Sequence, residues 1–203
     1  MWDKREMKII VCIKQVPGTA QVDIDEETGV LKRDGVESKI NPYDLYALET
    51  ALRLKAGCPG ARVVAMTMGP PQAAYMLREC LAMGADDVVL LSSRAFGGAD
   101  TCATSTTLAA GIRKLGKFDI ILAGRQAIDG DTAQVGPQTA QRLGIPSVSY
   151  VQKIREIKDG SVVVERNLED GYEVIEVKRP CLLTAIKELN TPRYMTVAQI
   201  ETA

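Results

Sequence analysis

Two rhythms of hydrophobic and polar positions divide the chain. Up to residue 143, short apolar runs alternate with longer stretches in which apolar residues return every three or four positions. The runs at 8–14 (KIIVCIK), 62–68 (RVVAMTM), 87–91 (DVVLL) and 118–123 (FDIILA) are nearly unbroken and rich in β-branched residues. Such runs suit parallel strands covered on both faces. Between them, spacing predicts a helix from Asn41-Pro42 to about residue 55, with Asn41 as cap and Leu45, Leu48, Ala51 and Leu52 inward. A second helix follows Gly69-Pro70-Pro71 with Ala74, Leu77, Leu81 and Met83 inward, and a third covers 101–115. Another begins near Gln134, because Pro137 is comfortable only in a first turn. This alternation predicts right-handed βαβ units and an α/β fold, a doubly wound parallel sheet of Rossmann-like kind.

After Pro146 the helical period disappears. Runs at 148–157, 161–165, 172–178 and 181–185 predict strands joined by Asp159-Gly160 and Asp170-Gly171 turns, extending one sheet edge in antiparallel fashion. The alternating segments 22–25 and 30–33 predict a small exposed hairpin. Residues 186–203 show little periodicity and are expected to form an extended arm on a partner surface. The organisation expected is therefore a nucleotide-binding α/β domain over 1–185 and a partner-recognition arm over 186–203.

Composition narrows the chemistry. A net charge of −1 across 203 residues gives no electrostatic case for nucleic acid. No apolar run approaches a membrane span, and the mixed-charge opening MWDKRE does not resemble a signal peptide, so a cytoplasmic protein is expected. The five cysteines are scattered with no Cys-x-x-Cys pair, which argues against a disulfide framework or a metal site. Histidine is absent, which removes Ser-His-Asp and Cys-His catalysis. Any chemistry is expected to belong to a bound cofactor, with no catalytic side chain of the protein's own.

The candidate site lies where the 118–123 strand passes into the helix near Gln134. In open α/β sheets ligands bind at the carboxyl ends of the strands, at a switch point, and a helix N-terminus there suits a phosphate. The loop comprises Gly124, Arg125, Gln126, Ala127, Ile128, Asp129, Gly130, Asp131, Thr132, Ala133, Gln134 and Val135. Amides from Ala133 to Gly136 are expected to be free, and small side chains at Thr132, Ala133 and Gly136 admit a ligand close to the backbone. The carboxylates of Asp129 and Asp131 oppose a phosphate unless one caps the helix or both face ribose hydroxyls, with Arg125 compensating. From the residues alone, a phosphate site and an ordinary capped loop are both open. Asn41-Pro42 reads as plain capping, and Cys12 and Met68 as core. No Gly-x-Gly-x-x-Gly or Walker loop is present, and Lys14-Gln15-Val16-Pro17-Gly18 lacks the Gly-rich loop that an adenine-nucleotide hydrolase or adenylating enzyme would bring.

Five stretches together resemble the beta subunit of electron transfer flavoproteins: KIIVCIKQVP, INPYDLYALETALRLK, LAMGADDVVLL, AGRQAIDGDTAQVG and VERNLEDGYEVIEVKRPCLLTA. The last carries the family's order of Arg166, Glu169, Asp170, Gly171, Glu176 and Pro180, and the resemblance runs from residue 7 to about 200. It implies an adenine nucleotide alpha hydrolase-like fold and a heterodimer with a flavin-bearing alpha subunit that shuttles electrons with acyl-CoA dehydrogenase-type partners. It also implies a buried adenine nucleotide lined by Cys12, Asn41, Pro42, Tyr43, Asp44, Met68 and the loop from Gly124 to Val135.

In most members of that family the nucleotide is a structural AMP. The phrase DGDTAQVGP resembles instead the electron-bifurcating branch, in which an FAD occupies the site and receives a hydride from NADH; Gly130, Thr132 and Ala133 leave room for its diphosphate. The segment LTAIKELNTPRY resembles the family's recognition loop for dehydrogenases, with Leu189 as the anchoring side chain and Asn190, Pro192, Arg193 and Tyr194 beside it. Family members carry a longer C-terminal arm, wrapped on the alpha subunit, than the residues after 186 present here.

Overall fold

The structure is a computed structural model that describes residues 7–18 and 38–202. The hairpin expected over 22–33 lies outside the described residues. Parallel strands β1 (Lys8–Cys12), β4 (Arg62–Met68), β5 (Asp87–Leu91) and β6 (Ile120–Gly124) alternate with helices α1 (Pro42–Gly57), α2 (Ala73–Met83), α3 (Thr101–Lys114) and α4 (Val135–Leu143). A short antiparallel pair, β2 (Gln15–Pro17) with β3 (Ser38–Ile40), stands apart between β1 and α1. Strands β7 (Ser147–Lys158), β8 (Ser161–Leu168), β9 (Gly171–Lys178) and β10 (Cys181–Ala185) complete an eight-stranded sheet of order β5-β4-β1-β6-β10-β7-β8-β9. This is the α/β architecture that the alternation predicts.

The near-unbroken apolar strands β1, β4 and β6 are buried on both faces because helices cover both. Ile9, Val11, Val63, Ala65, Ile120 and Leu122 face one side, where α1 brings Ala47, Leu48, Ala51 and Leu52 and α2 brings Met76, Leu77 and Cys80. Ile10, Met66, Ile121 and Leu182 alternate to the other side, against Leu108 and Ile112 of α3 and Ala140 of α4. Each fully buried Ile or Leu contributes about 2 kcal/mol.

Three expectations are corrected. The last strand, β10, does not extend an antiparallel edge: it enters between β6 and β7 and runs parallel to both, so within this sheet the antiparallel pairs are β7–β8 and β8–β9. Cys181, Leu182 and Leu183, all fully buried, demand that interior position. On α2 the inner face is Ala73, Met76, Leu77, Cys80 and Met83, whereas Ala74 is exposed and Leu81 half-buried. The segment after residue 186 is not simply extended, since it forms a 3-10 turn (Lys187–Leu189) and ends in helix α5 (Val197–Thr202). No helix among the described residues is long and apolar enough to cross a membrane.

Candidate functional site

At the carboxyl ends of β1 and β6, which are neighbours, the crossovers leave to opposite faces of the sheet: α1 packs on one, α4 on the other. That divergence opens a cleft of about 1210 Å³, bounded by the loops after β1, β4, β5 and β6. It is the switch-point crevice of an open α/β sheet.

Its base is organised by Asp44 in the first turn of α1. One carboxylate oxygen accepts the Lys14 N–H at 2.7 Å, and the other accepts the Gly124 N–H at 2.9 Å, so a single side chain ties the ends of β1 and β6 together. The closeness requires glycine at 124, where a Cβ would lie 2.3 Å from Asp44 Oδ1 and 2.8 Å from the Tyr43 carbonyl carbon. Burial pushes the Asp44 carboxyl up to about 7, against the pull of the Lys14 and Gly124 amides and of Asn41. Burial likewise pushes the neighbouring Cys12 thiol up to about 12, with the Asp44 charge adding to it.

Asn41 precedes α1, but its side chain does not cap that helix. Its Nδ2 donates to the Gln126 carbonyl at 2.8 Å and its Oδ1 accepts the Ile128 N–H at 3.2 Å. The expected cap is therefore a brace that holds the loop after β6 against α1. Proline at the first helical position supplies the helix start in its place.

The two aspartates of the loop also have partners other than those expected. Asp129 pairs with Lys14 Nζ at 2.6 Å, and Asp131 accepts from Gln126 Nε2 at 2.6 Å. Neither caps α4. The balancing cation is Lys14, while Arg125 stacks its guanidinium on the Tyr43 and Tyr150 rings and donates from Nε to Gln126 Oε1. Lys14 offsets the charge of Asp129, whereas the partner of Asp131 is the neutral Gln126 amide.

Helix α4 begins without a side-chain cap or an acidic residue in its first turn. Gln134, at the cap position, instead accepts from Thr101 of α3 at 3.0 Å. The Val135 and Gly136 amides have no intrahelical acceptor by position, and both residues line the cleft. Immediately before them the backbone is left-handed at Asp131 (φ 48°) and Ala133 (φ 54°), a conformation that costs about 1 kcal/mol or more at a non-glycine residue. Small side chains, amides without an intrahelical acceptor and the positive end of a helix form a cradle that can hold a phosphate or diphosphate. No cluster of metal-ligating side chains occurs among the described residues.

Of the sequence-predicted positions, Cys12, Asn41, Asp44, Met68, Gly124, Arg125, Gln126, Ala127, Gly130, Asp131, Thr132, Ala133, Gln134 and Val135 line the cleft. Pro42, Tyr43, Ile128 and Asp129 are not among its lining residues. Lys14, the Gly69–Pro71 turn and residues 92–94 and 96–101 line it too and were not among the predicted binding positions. Applying the strand-end rule to β4 and β5, as well as to β1 and β6, would have found the last two.

Leu189, Asn190, Pro192, Arg193 and Tyr194 are not among the residues that line this cleft, and the turn that carries Leu189 packs on α1 and β7. Leu189 packs half-buried against the core, and Asn190 Nδ2 donates to Tyr46 O at 2.9 Å and Thr50 Oγ1 at 2.8 Å. Arg193 Nε donates to buried Glu49 at 2.7 Å. Pro192 is half-buried, and Tyr194 is 95% exposed.

The electron transfer flavoprotein domain model matches residues 28–203. The chain is 64% identical over 194 residues to the caffeyl-CoA reductase-Etf complex subunit CarD of Acetobacterium woodii, covering 96% of this chain and 74% of that protein. It is 62% identical to an electron transfer flavoprotein subunit beta of Clostridium acetobutylicum over the same shares of the two chains. It is 54% identical to the acryloyl-CoA reductase electron transfer subunit gamma of Anaerotignum propionicum, covering 94% of this chain and 72% of that one. A match of this extent, on a fold with this cleft, settles the kinship: the chain belongs to the electron transfer flavoprotein family, among its beta subunits.

Proposed function

We propose that this subunit pairs with a flavin-bearing alpha subunit and holds an FAD of its own in the switch-point cleft, as part of a complex that bifurcates electrons from NADH. The observation that carries the reading is the uncapped start of α4, preceded by left-handed Asp131 and Ala133 and opening on the cleft. Gly130, Thr132 and Ala133 leave room for a diphosphate, and the Val135 and Gly136 amides are placed to meet it. At about 1210 Å³ the cleft exceeds the roughly 300–1,000 Å³ usual for a small-molecule site, which favours a dinucleotide over AMP. Bound FAD would supply hydride acceptance and one-electron release. The chain's own residues bind, orient and shield it; none is assigned as an acid or base.

Two relatives are named for CoA-thioester reductases, which supports an acyl-CoA dehydrogenase-type partner docking at the segment with Leu189, Asn190, Pro192, Arg193 and Tyr194. The free thiols suit a cytoplasmic setting. The test is the absorbance spectrum and extracted nucleotide of the chain co-purified with its alpha subunit. Two flavins per heterodimer are expected. One flavin accompanied by AMP would replace this reading with a structural nucleotide and a docking role.

A further inference from the structure

Tyr150 stands where a strand ordinarily tolerates only glycine. Its φ is +60°, in the interior of β7, and it is neither Asn nor Asp, the side chains that best accept such a backbone. The cause is a bulge: Val148 pairs with Leu183 and Val151 with Ala185, so two residues of β7 oppose the single Thr184 of β10. Thr184 completes the bulge by accepting the Tyr150 N–H on its hydroxyl at 3.0 Å. Bulges re-aim side chains, and this one turns the Tyr150 ring to 5.4 Å from the Arg125 guanidinium. Tyr43 of α1 lies 5.6 Å from the same guanidinium, so the cation is held by two rings.

From Arg125 a single line of hydrogen bonds runs into the loop. Its Nε donates to Gln126 Oε1 at 2.7 Å, which orients that amide so that Nε2 donates to Asp131 Oδ1 at 2.6 Å. Asp131 is the first of the two left-handed residues that shape the cradle. We propose that Tyr150 is a positioning residue for the ligand cradle: it clamps Arg125, and through Gln126 the clamp holds the 125–134 loop in its binding shape. A strained backbone kept at a position outside the cleft lining is accounted for by this role. The effect on affinity rests on the nucleotide reading of the cleft; the effect on the loop does not.

The full chain is compared with Tyr150→Asn, which accepts the left-handed backbone but lacks the ring, and Tyr150→Phe, which keeps the ring. Amide hydrogen exchange over 125–134 is measured without ligand, followed by calorimetric titration with AMP and with FAD. Tyr150→Asn should exchange at least tenfold faster in that loop, with β1 and β4 unchanged, and bind nucleotide at least tenfold more weakly; Tyr150→Phe should match the wild type in both. Arg125→Met should loosen the loop as Tyr150→Asn does, and it decides the question if Tyr150→Asn fails to fold. Wild-type exchange in the loop of Arg125→Met, or equal loosening by Asn and Phe at 150, would overturn the assignment. A wild-type chain that binds neither nucleotide would instead defeat the reading of the cleft, leaving the exchange result to judge Tyr150.

Discussion

Asp44 sits between two opposed demands. Two backbone amides ask for an anion, while burial asks for the neutral acid, and burial prevails, taking the carboxyl from 3.8 to about 7. Between those values the folded protein holds a proton that the unfolded chain has lost, so stability falls as pH rises through the window. At about 1.4 kcal/mol per pH unit the full effect is on the order of 4 kcal/mol. Asp44→Asn is less stable at every pH, because its amide nitrogen must face one of the two N–H donors. It also lacks the titration. The stability gap between wild type and variant, taken from urea unfolding at pH 4.5 to 7.5, should therefore narrow as pH rises; a widening gap would mean that the folded carboxyl ionises below its usual range. Residues of this kind were only half legible in the sequence. The family resemblance of INPYDLYALETALRLK marked Asp44 as near the site, but its reach to Gly124, 80 positions on, needs the packed sheet.

Strands were legible where apolar residues run nearly unbroken. The bounds of β4, β5 and β10 follow from apolar runs alone. Their neighbours do not, since a strand's pattern records which faces are covered and not which strand lies beside it. The parallel insertion of β10 between β6 and β7 is the result. On α2 the ambiguity was one of chemistry: Ala73 and Ala74 are identical side chains, and only packing selects the stripe through Ala73 and Met76. The loop from β6 to α4 shows the same division. Its small residues announce a close approach, but not of what to what. Gly124 approaches protein, with a would-be Cβ overlapping Asp44 and Tyr43, while Gly130 has nothing within 4 Å. Gly124→Ala should lose about 3 kcal/mol or more in chemical unfolding, and Gly130→Ala less than about 0.5 kcal/mol. Comparable losses at the two positions would show that the loop is packed against the body of the domain along its whole length.

At the scale of the molecule, α1 joins two surfaces. Its start braces the cleft through Asn41 and Asp44, and two turns later Tyr46, Glu49 and Thr50 hold the segment carrying Leu189 and Arg193. Glu49 is 3% exposed and accepts from both Arg53 and Arg193. Burial opposes its charge, but those guanidinium bonds hold its carboxyl below the usual range. It therefore contributes stability above its unfolded value of 4.5 that is lost as pH falls through the lower folded one. Because the packed sheet is independent of this clamp, its loss should free the segment without unfolding the domain. Charge-assisted hydrogen bonds contribute about 1.5–3 kcal/mol, so Glu49→Ala should lower the local opening energy of 187–196 by about 2 kcal/mol. Amide exchange there should accelerate by roughly 30-fold at neutral pH while 125–134 keeps its wild-type rate, since helix α1 remains packed. Faster exchange at both ends of α1 would instead mean that the helix moves as a body and couples the cleft to the 187–196 segment, making the state of one surface readable at the other.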